Sequence, residues 1–190
     1  MATRTGISKS DVVRAAAQIA DAKGWDALTL ADVAAKLRIR SPSLYNHVDG
    51  LNALRRELTL LAIRELSANL SRATIGKSRA DAVRDLAAAY RAFVKRHPGI
   101  YAATMIAPVR GDREIKRAGD EVVEICLSVL NGYGFGRRDA IYAVRAMRSA
   151  VHGFAGLEIA GGFGIPVDVD KSFEWMVTVL LNGLESASKM

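Results

Sequence analysis

The sequence predicts an all-α protein, and three observations lead to that prediction. Apolar residues recur at three- and four-residue spacing through almost the whole chain. No alternating strand pattern bounded by turns occurs. Three Ser/Thr-x-x-Asp boxes, which are typical of helix N-termini, each stand before a stretch with helical spacing: Ser8/Asp11, Thr29/Asp32 and Ser78/Asp81. We therefore expect about nine helices.

The same signals place the helices in order. The first follows Ser8 and ends at Gly24, and the second covers residues 30–37. A short third helix is expected at about 41–47, with Ser41 as N-cap and Pro42 at the first helical position. The fifth follows Ser78 and is broken at 97–99, where proline and glycine disfavour helix. The other helices are expected around 51–71, 100–106, 115–129, 137–160 and 171–186.

Composition excludes several classes of protein. Of 190 residues, 50% are hydrophobic and 25% charged, which fits a folded globule rather than a disordered chain. A chain of this length buries about 70% of its unfolded surface, so it needs no metal or disulfide to fold. The single cysteine, Cys126, excludes a disulfide framework and a multi-cysteine zinc site. Without a long apolar run or a signal-like N-terminus, we expect a cytoplasmic protein with no membrane partner.

The net charge of +7 indicates a polyanionic partner only weakly. Residues 1–60 carry a net +3, residues 61–150 a net +7 and the last forty a net −3. The positive charge is thus spread over most of the chain. Charge alone does not locate a nucleic-acid site.

Residues 28–54 have the plan of a helix-turn-helix. The helices expected at 30–37 and about 41–47 are separated by only Arg38-Ile39-Arg40. Ala34 is small where the helices must cross, and the apolar Ile39 can fill the space beneath them. In a helix-turn-helix the second helix enters the major groove of DNA, and its N-terminal residues meet the base edges.

A set of short motifs identifies the family of this segment. The motifs are Leu28-Thr29, Val33-Ala34, Ile39, Ser43-Leu44-Tyr45, His47-Val48 and Ala53-Leu54. In this order and spacing, residues about 8–55 resemble the tetracycline repressor-like (TetR) family of transcriptional regulators. Two positions depart from the family pattern: Arg38 stands at its turn glycine, and Leu51 at a lysine that contacts phosphate. The resemblance implies a helix-turn-helix DNA-binding domain at 1–55 and a ligand-binding and dimerisation domain at 56–190.

The resemblance also implies which residues contact DNA. Ser43, Tyr45 and His47 would meet the backbone and nearby bases, whereas Arg40, Ser41 and Asn46 would read bases. The predicted DNA-binding residues are Thr29, Arg40, Ser41, Pro42, Ser43, Tyr45, Asn46 and His47.

Alternatives remain at several of these positions. Thr29 caps a helix and can also contact phosphate. Tyr45 could instead be a tyrosine at the edge of the core, and His47 could make a structural hydrogen bond. Arg4 and Lys9 could reach phosphates as a mobile arm or belong to a solvated tail.

A second resemblance covers about 30 residues near the C-terminus. Val151-His152-Gly153, Leu157-Glu158, a Gly-rich stretch at 162–166, Asp170 and Phe173 resemble a TetR subgroup named for a Trp-His-Gly (WHG) motif, with Val151 in place of the tryptophan. It implies a ligand-receiving domain whose last two long helices pair with their copies in a homodimer. The alternative is a single-chain core. The predicted interface residues are Gly153, Phe154, Leu157, Val177, Leu180 and Leu184.

The family further implies a small-molecule effector that releases a repressor from a palindromic operator. The helices that surround the effector in this family correspond to those carrying Tyr90, Phe93, Tyr101, Met105, Val122 and Cys126. For each of these residues, plain core is the favoured alternative. These six residues form no polar constellation, so a largely apolar or aromatic effector is expected. No cofactor and no metal are expected.

An enzyme is disfavoured. Cys126 lies between Ile125 and Leu127 in a helix, where a buried, inert thiol is expected. The three histidines are 50 and 55 residues apart and form no HxxxH or HExxH motif. Residues 132–136 alternate glycine with aromatic residues but follow a helix rather than a strand, so they predict a hinge and not a phosphate loop. A helical adaptor that binds no DNA is the remaining rival.

Overall fold

The computed structural model describes residues 6–105 and 111–189. These residues form nine α-helices and a 3-10 turn at Asn131–Tyr133. The helices are α1 Lys9–Lys23, α2 Leu30–Leu37, α3 Ser41–Leu44, α4 Gly50–Thr74, α5 Arg79–Arg96, α6 Pro98–Ala103, α7 Arg113–Leu130, α8 Arg137–Ile159 and α9 Val169–Ala187. No β-strand occurs in the described ranges, and the predicted all-α class is confirmed. None of the described helices combines the length and apolarity needed to span a membrane.

The described residues divide into two compact units. The first unit comes from Met1–Ile63 and His97–Ile115, and the second from Arg64–Arg96 and Lys116–Met190. Both are discontinuous in sequence, and α4 contributes residues to each. The expected domains, 1–55 and 56–190, divide the chain by function, whereas these units divide it by packing.

In the first unit, α1 packs against α2 and α6, and α2 packs against α3. The capping box predicted at Ser8 is confirmed: the Asp11 N–H donates to Ser8 Oγ at 3.2 Å, and the Ser8 N–H to Asp11 Oδ2 at 2.9 Å. Gly24, with φ 95°, ends α1 as predicted. The buried side of α1 carries Val12, Val13, Ala15, Ala16, Ala17, Ile19 and Ala20.

Helix α6 begins two residues earlier than expected, at Pro98. Its N-terminus is held by Asp21 of α1, whose Oδ1 accepts from the Gly99 and Ile100 N–H groups at 3.0 Å each. Because a carboxylate accepts from these N–H groups, the helix can start at the proline itself. Proline has no N–H group, but the N–H of a first helical residue has no partner within the helix in any case. The end predicted at Ile106 lies outside the described residues.

An ion pair within the first unit involves residues just before α7. Arg56 of α4 donates from Nε to Asp112 Oδ2 at 2.6 Å. Asp112 also accepts from the Ile115 N–H at 3.1 Å and so caps the first turn of α7. These bonds lower the pKa of the Asp112 carboxyl, with the Arg56 hydrogen bond as the largest cause.

In the second unit, α5 packs against α8 and α9, and α8 packs against α9. The apolar spacing that predicted α5 matches the buried side of the helix, which includes Val83, Leu86, Tyr90, Phe93 and Val94.

The capping box predicted at Ser78 and Asp81 was wrong. Arg79 follows Ser78 at the start of α5 and has a φ of 50°, whereas the residue after an N-cap has right-handed helical angles. Its side chain explains the departure: it pairs with both Glu185 carboxylate oxygens at 2.9–3.0 Å and lies over the Tyr133 ring at 5.2 Å. These tertiary contacts outweigh the local capping preference.

Candidate nucleic-acid interface

The turn between α2 and α3 consists of Arg38, Ile39 and Arg40. Arg38 takes the left-handed conformation, with φ 56° and ψ 41°. Its N–H donates to the Ala35 carbonyl at 3.1 Å, and the Ile39 N–H donates to the Ala34 carbonyl at 3.0 Å. This pair of bonds is the Schellman motif, which satisfies the last carbonyls of a helix. The turn therefore has the backbone angle for which a glycine would be favoured, although the residue is an arginine.

Helix α3 is shorter than expected. It covers Ser41–Leu44, and residues 45–47 form a turn instead of helix. The prediction of Ser41 as N-cap was also wrong: the N-cap is Arg40, without a side-chain hydrogen bond, and Pro42 is the second helical residue. The reason is that hydrogen bonds of the i→i+3 type, as in a 3-10 helix, occur at both ends of the segment. The Ser43 N–H donates to the Arg40 carbonyl and the His47 N–H to the Leu44 carbonyl, each at 2.9 Å.

This short segment has one buried side and one exposed side. Leu44 and Val48 anchor it, with 0% and 5% of their surface exposed. On the other side Tyr45 is 61% exposed, so it is not a tyrosine at the edge of the core. The other exposed side chains of the segment are Arg40, Ser41, Pro42 and Asn46. An aromatic ring, a guanidinium, a hydroxyl and an amide are together suited to phosphate and base-edge contacts.

The remaining predicted DNA contacts flank this surface. Ser43 and His47 are half-buried, and Thr29 is exposed. Thr29 caps α2: its Oγ1 accepts from the Asp32 N–H at 3.1 Å and donates to Asp32 Oδ2 at 2.6 Å. Lys23 also donates to Asp32, at 2.7 Å, and this bond, followed by that from Thr29, lowers the pKa of the Asp32 carboxyl. The cap role of Thr29 is confirmed, and its phosphate contact stays a prediction.

The proposed basic arm is partly accounted for. Lys9 lies in the first turn of α1 and forms an ion pair with Glu57 of α4 at 2.8 Å. It is therefore neither a mobile arm nor an unpaired, solvated residue. Arg4 lies outside the described residues.

The six predicted effector contacts do not lie in one unit. Tyr90 and Phe93 are buried on α5 of the second unit, whereas Tyr101 and Met105 belong to the first unit. Val122 and Cys126 are half-buried on α7. Burial raises the pKa of the Cys126 thiol to about 11, as expected for an inert thiol and not for a nucleophile.

The motif residues of the C-terminal resemblance converge on Arg91 of α5. Arg91 donates to both carboxylate oxygens of Glu158, at 2.6 and 2.7 Å, and pairs with Asp170 at 2.7 Å. Its guanidinium lies 4.6 Å from the Phe173 ring centroid and 5.4 Å from that of Phe154. The Arg91 bond is the largest cause of a lowered pKa of the Glu158 carboxyl. We call Arg91, Glu158 and Asp170 the Arg91 cluster.

Sequence analysis did not single out Arg91. The available signal was a charged residue within the apolar side of α5, between Tyr90 and Phe93. A charge in that position needs a partner, because burying an unpaired guanidinium is costly. The position of the partner could not be found from sequence, since Glu158 is 67 residues away.

A groove of about 970 Å³ lies beside this cluster, between α5 and α9. None of the six predicted effector contacts lines it. Its apolar surface is formed by Ala88, Ala92, Phe173 and Val177. Its charged and polar lining residues are Arg84, Asp85, Arg91, Lys95, Arg96, Asp170, Glu174 and Thr178.

The predicted dimer residues differ in exposure. Leu157 is 53% exposed, Gly153 is exposed, and Phe154 and Leu180 are half-buried. Val177 and Leu184 are 3% and 7% exposed because they face inward, where α9 contacts α5 and α8. These two side chains are thus covered within one chain and are not available to a second copy.

Two other motifs have structural roles. His97 Nδ1 bonds Asp21 Oδ2 at 2.8 Å, next to the α6 N-terminus. In the stretch 132–136, Tyr133 is buried and stacks on Phe135 at 5.9 Å. Across the part of the chain that the structure describes, no three His, Cys, Asp or Glu residues come together as metal ligands would.

Comparison with known proteins gives consistent matches. A model of the tetracyclin repressor-like C-terminal domain matches residues 83–180. The chain is 38% identical over 180 residues to the uncharacterized HTH-type transcriptional regulator Rv0681 of Mycobacterium tuberculosis, covering 94% of this chain and 82% of that protein. It is 33% identical over 186 residues to the uncharacterized HTH-type transcriptional regulator YobS of Bacillus subtilis, covering 97% and 96%.

Solved structures show the same fold. A TetR variant from Acinetobacter baumannii, crystallised in complex with minocycline, superposes with a TM-score of 0.71 at 22% identity, over 96% of this chain and 99% of that one.

Proposed function

The chain belongs to the tetracycline repressor-like family of transcriptional regulators, and we propose that it is a repressor that binds a palindromic operator as a homodimer and is released by a small-molecule effector. The family consists of transcriptional regulators and not, in general, of enzymes. In this proposal residues 1–55 read DNA, residues 56–190 bind effector and dimerise, and the protein acts in the cytoplasm without a cofactor.

The observation that carries the DNA-binding part is the exposed side of residues 40–46. Tyr45 is 61% exposed although its neighbour Leu44 is fully buried, so the backbone is fixed while the ring is free for a partner. We assign phosphate and sugar contacts to Ser43, Tyr45 and His47, and base contacts to Arg40, Ser41 and Asn46. Residues 1–60 carry a net charge of only +3, so specificity has to rest on the contacts made by residues 40–47 and not on bulk charge.

The dimer and effector parts rest on different support. Two-fold symmetry places two reading segments about 34 Å apart, one per half-site, which single copies cannot do. The exposed apolar residues of α8 and α9 include Leu157, Trp175 and Val179, which a dimer interface formed by these two helices would cover. Minocycline bound to the Acinetobacter protein supports a small-molecule effector for this fold.

We predict that Tyr45→Ala weakens operator binding at least tenfold, because it removes an exposed contact without disturbing the buried Leu44 and Val48. The duplex is obtained by selecting from random DNA with the wild-type protein, and affinity is measured by fluorescence anisotropy at several salt concentrations. For the wild type, log Kobs should fall against log salt with a slope of about −0.9 per phosphate neutralised.

Tyr142→Ala is the matched control, since Tyr142 is 49% exposed but lies on α8 in the second unit. Its affinity should equal that of the wild type. Equal binding by both variants would remove Tyr45 from the interface. If no duplex is selected, and if binding of the wild type to random DNA shows no salt dependence, the protein is better described as a helical adaptor that does not bind DNA.

A further inference from the structure

The groove between α5 and α9 combines an apolar surface with a basic wall. The exposed Ala88 and Ala92 of α5 supply the accessible apolar surface, and Phe173 and Val177, only 5% and 3% exposed, complete the lining. The basic wall of the groove consists of four cationic residues of α5: Arg84, Arg91, Lys95 and Arg96. A concave apolar site with a few convergent polar groups is the usual form of a small-molecule site.

Arg91 is the buried cation of this groove, with only 9% of its surface exposed. Glu158, whose side chain is 14% exposed, holds it through two hydrogen bonds and thereby fixes the plane of the guanidinium. Asp170, the second carboxylate that pairs with Arg91, is much more exposed to solvent than Glu158. Asp170 pairs at 2.7 Å, but its side chain is 76% exposed, so an incoming anion can reach the position it occupies.

The other charges of the groove favour an anion over a cation. Among the described residues, neither Arg84 nor Arg96 forms an ion pair; Arg84 only bonds the Thr178 hydroxyl, at 3.4 Å. Of the acidic lining residues, Asp85 is already paired with Lys77. Glu174 is the one lining carboxylate outside any ion pair in the described part of the chain, against two such arginines.

We propose that this groove is the effector site, and that the effector is an organic monocarboxylate with an apolar body. Its carboxylate takes the place of Asp170 on Arg91, and its apolar part lies against the exposed Ala88 and Ala92 of the same groove. The exchange of one carboxylate for another keeps the buried guanidinium paired, so it avoids the cost of an unpaired buried charge. The proposal rests on the proposed function, since it assigns the effector that function requires.

The displaced residue links binding to a change in the protein. Asp170 is in the first turn of α9, next to the N-cap Asp168, which accepts from the Asp170 and Lys171 N–H groups. Loss of the Asp170 pair frees the start of α9 from α5. A ligand shifts a conformational equilibrium only if it binds one state more tightly than the other. Here the effector binds the state in which Asp170 has left Arg91.

The test compares octanoate with its neutral isostere octanamide by isothermal titration calorimetry on the full chain. The wild type should bind octanoate at least about tenfold more tightly, because a charge-assisted bond to Arg91 is lost with the amide. Asp170→Asn should raise the affinity for octanoate, since the competing carboxylate is gone. Arg91 itself is left in place, because removing it would leave Glu158 without its main partner.

Glu174→Gln is the matched control, because it removes the same charge from the same groove without touching Arg91. It should raise octanoate affinity less than Asp170→Asn does. Equal binding of octanoate and octanamide, or an unchanged or lower affinity in Asp170→Asn, would overturn the proposal.

A second measurement separates this proposal from the proposed function. Octanoate should lower the affinity of the wild type for its selected duplex, whereas octanamide should not. If the duplex is bound with the expected salt dependence but octanoate leaves that affinity unchanged, the groove proposal alone fails. If no duplex is bound, the proposed function fails, whatever calorimetry shows.

Discussion

At the scale of single residues, Arg38 shows how a fold tolerates an unfavourable side chain. Its φ of 56° places a residue with a Cβ in the left-handed region, which costs about 1–2 kcal/mol relative to a right-handed conformation. The two Schellman bonds at 3.0 and 3.1 Å need that angle, because they satisfy the last carbonyls of α2. The turn between α2 and α3 therefore keeps its Schellman geometry at some loss of stability.

We predict that Arg38→Gly stabilises the protein by about 0.5–1 kcal/mol. Glycine removes the Cβ strain but adds chain entropy to the unfolded state, and the two effects oppose each other with strain the larger. The free energy of unfolding is measured by urea titration with circular dichroism. Lys36→Gly, in the last turn of α2 where the backbone is right-handed, is the control and should lower stability by up to about 1 kcal/mol. A loss of stability in Arg38→Gly would show that the Arg38 side chain outweighs its backbone strain.

At the scale of elements, the contact of α1 with α6 depends on a glycine. A Cβ built on Gly99 would lie 2.0 Å from the Ala20 carbonyl oxygen, so the two helix backbones touch directly. Asp21 fixes the same junction through the Gly99 and Ile100 N–H groups and through His97 Nδ1. A short helix of six residues gains its stability from such contacts and not from its own propensity.

We expect Gly99→Ala to lower the free energy of unfolding by about 3 kcal/mol, because backbone atoms must move to admit the methyl group. Gly119→Ala is the matched control: Gly119 lies inside α7, and nothing is within 4 Å of its Cβ position. There alanine should add about 0.5–1 kcal/mol through its higher helix propensity. Thermal unfolding of both variants gives the comparison. Similar melting temperatures would mean that α6 can move away from α1 at little cost.

At the scale of the whole molecule, the Arg91 cluster joins α5, α8 and the start of α9 by charge. The pKa of the Glu158 carboxyl is lowered from 4.5, chiefly by its hydrogen bond to Arg91. A carboxyl whose pKa is lower in the folded state stabilises the fold fully above its unfolded value and loses that contribution as pH falls. Stability from this cluster is thus present at neutral pH and is lost below about pH 4.5.

Glu158→Gln should therefore be less stable than the wild type by about 1.5–3 kcal/mol at pH 7, a range typical of hydrogen bonds to charged groups. The difference should shrink as the pH is lowered from 5 to 3, because the wild type then loses the charge that the variant never had. Urea titrations at these pH values measure it. Glu174→Gln, at an exposed position without an ion pair in the described chain, should change stability little at any of them. A pH-independent difference for Glu158→Gln would assign its effect to packing.

The proposed dimer is also a property of the whole molecule. Leu180→Arg should yield a monomer that binds the selected duplex poorly, since a buried, unpaired charge is costly at an apolar interface. Light scattering should give twice the chain mass for the wild type. Val123→Arg on α7, where Val123 is 40% exposed, is the control and should remain a dimer. Full operator affinity in a monomeric Leu180→Arg variant would contradict the dimer.

Much of the fold was predictable because its signals are local. The capping residues Ser8 and Thr29, the stop at Gly24 and the apolar spacing of α5 act within a few residues of themselves, so the sequence shows them directly. The errors occurred where distant residues decide. Arg79 follows its contacts with Glu185 and Tyr133 and not the capping box, and α6 starts where Asp21 can reach it.

For the candidate DNA surface, the sequence predicted which residues form it but not the length of α3 or which side chains are exposed. The family motifs identified 40–47, whereas the shortening of α3 and the exposure of Tyr45 depend on how Leu44 and Val48 pack. The roles of these residues toward DNA stay predictions, as do the effector and dimer contacts.

By itself, the sequence determined the all-α class, the family and the segment that we propose as the DNA-binding surface, because periodicity, caps and motif spacing are properties of neighbouring residues. Only the tertiary structure decided that Arg91 meets Glu158 and Asp170 beside an open groove, and that Val177 and Leu184 are already covered within one chain. The physical reason is that pairing and burial depend on which distant residues come into contact, and no local pattern specifies the partner.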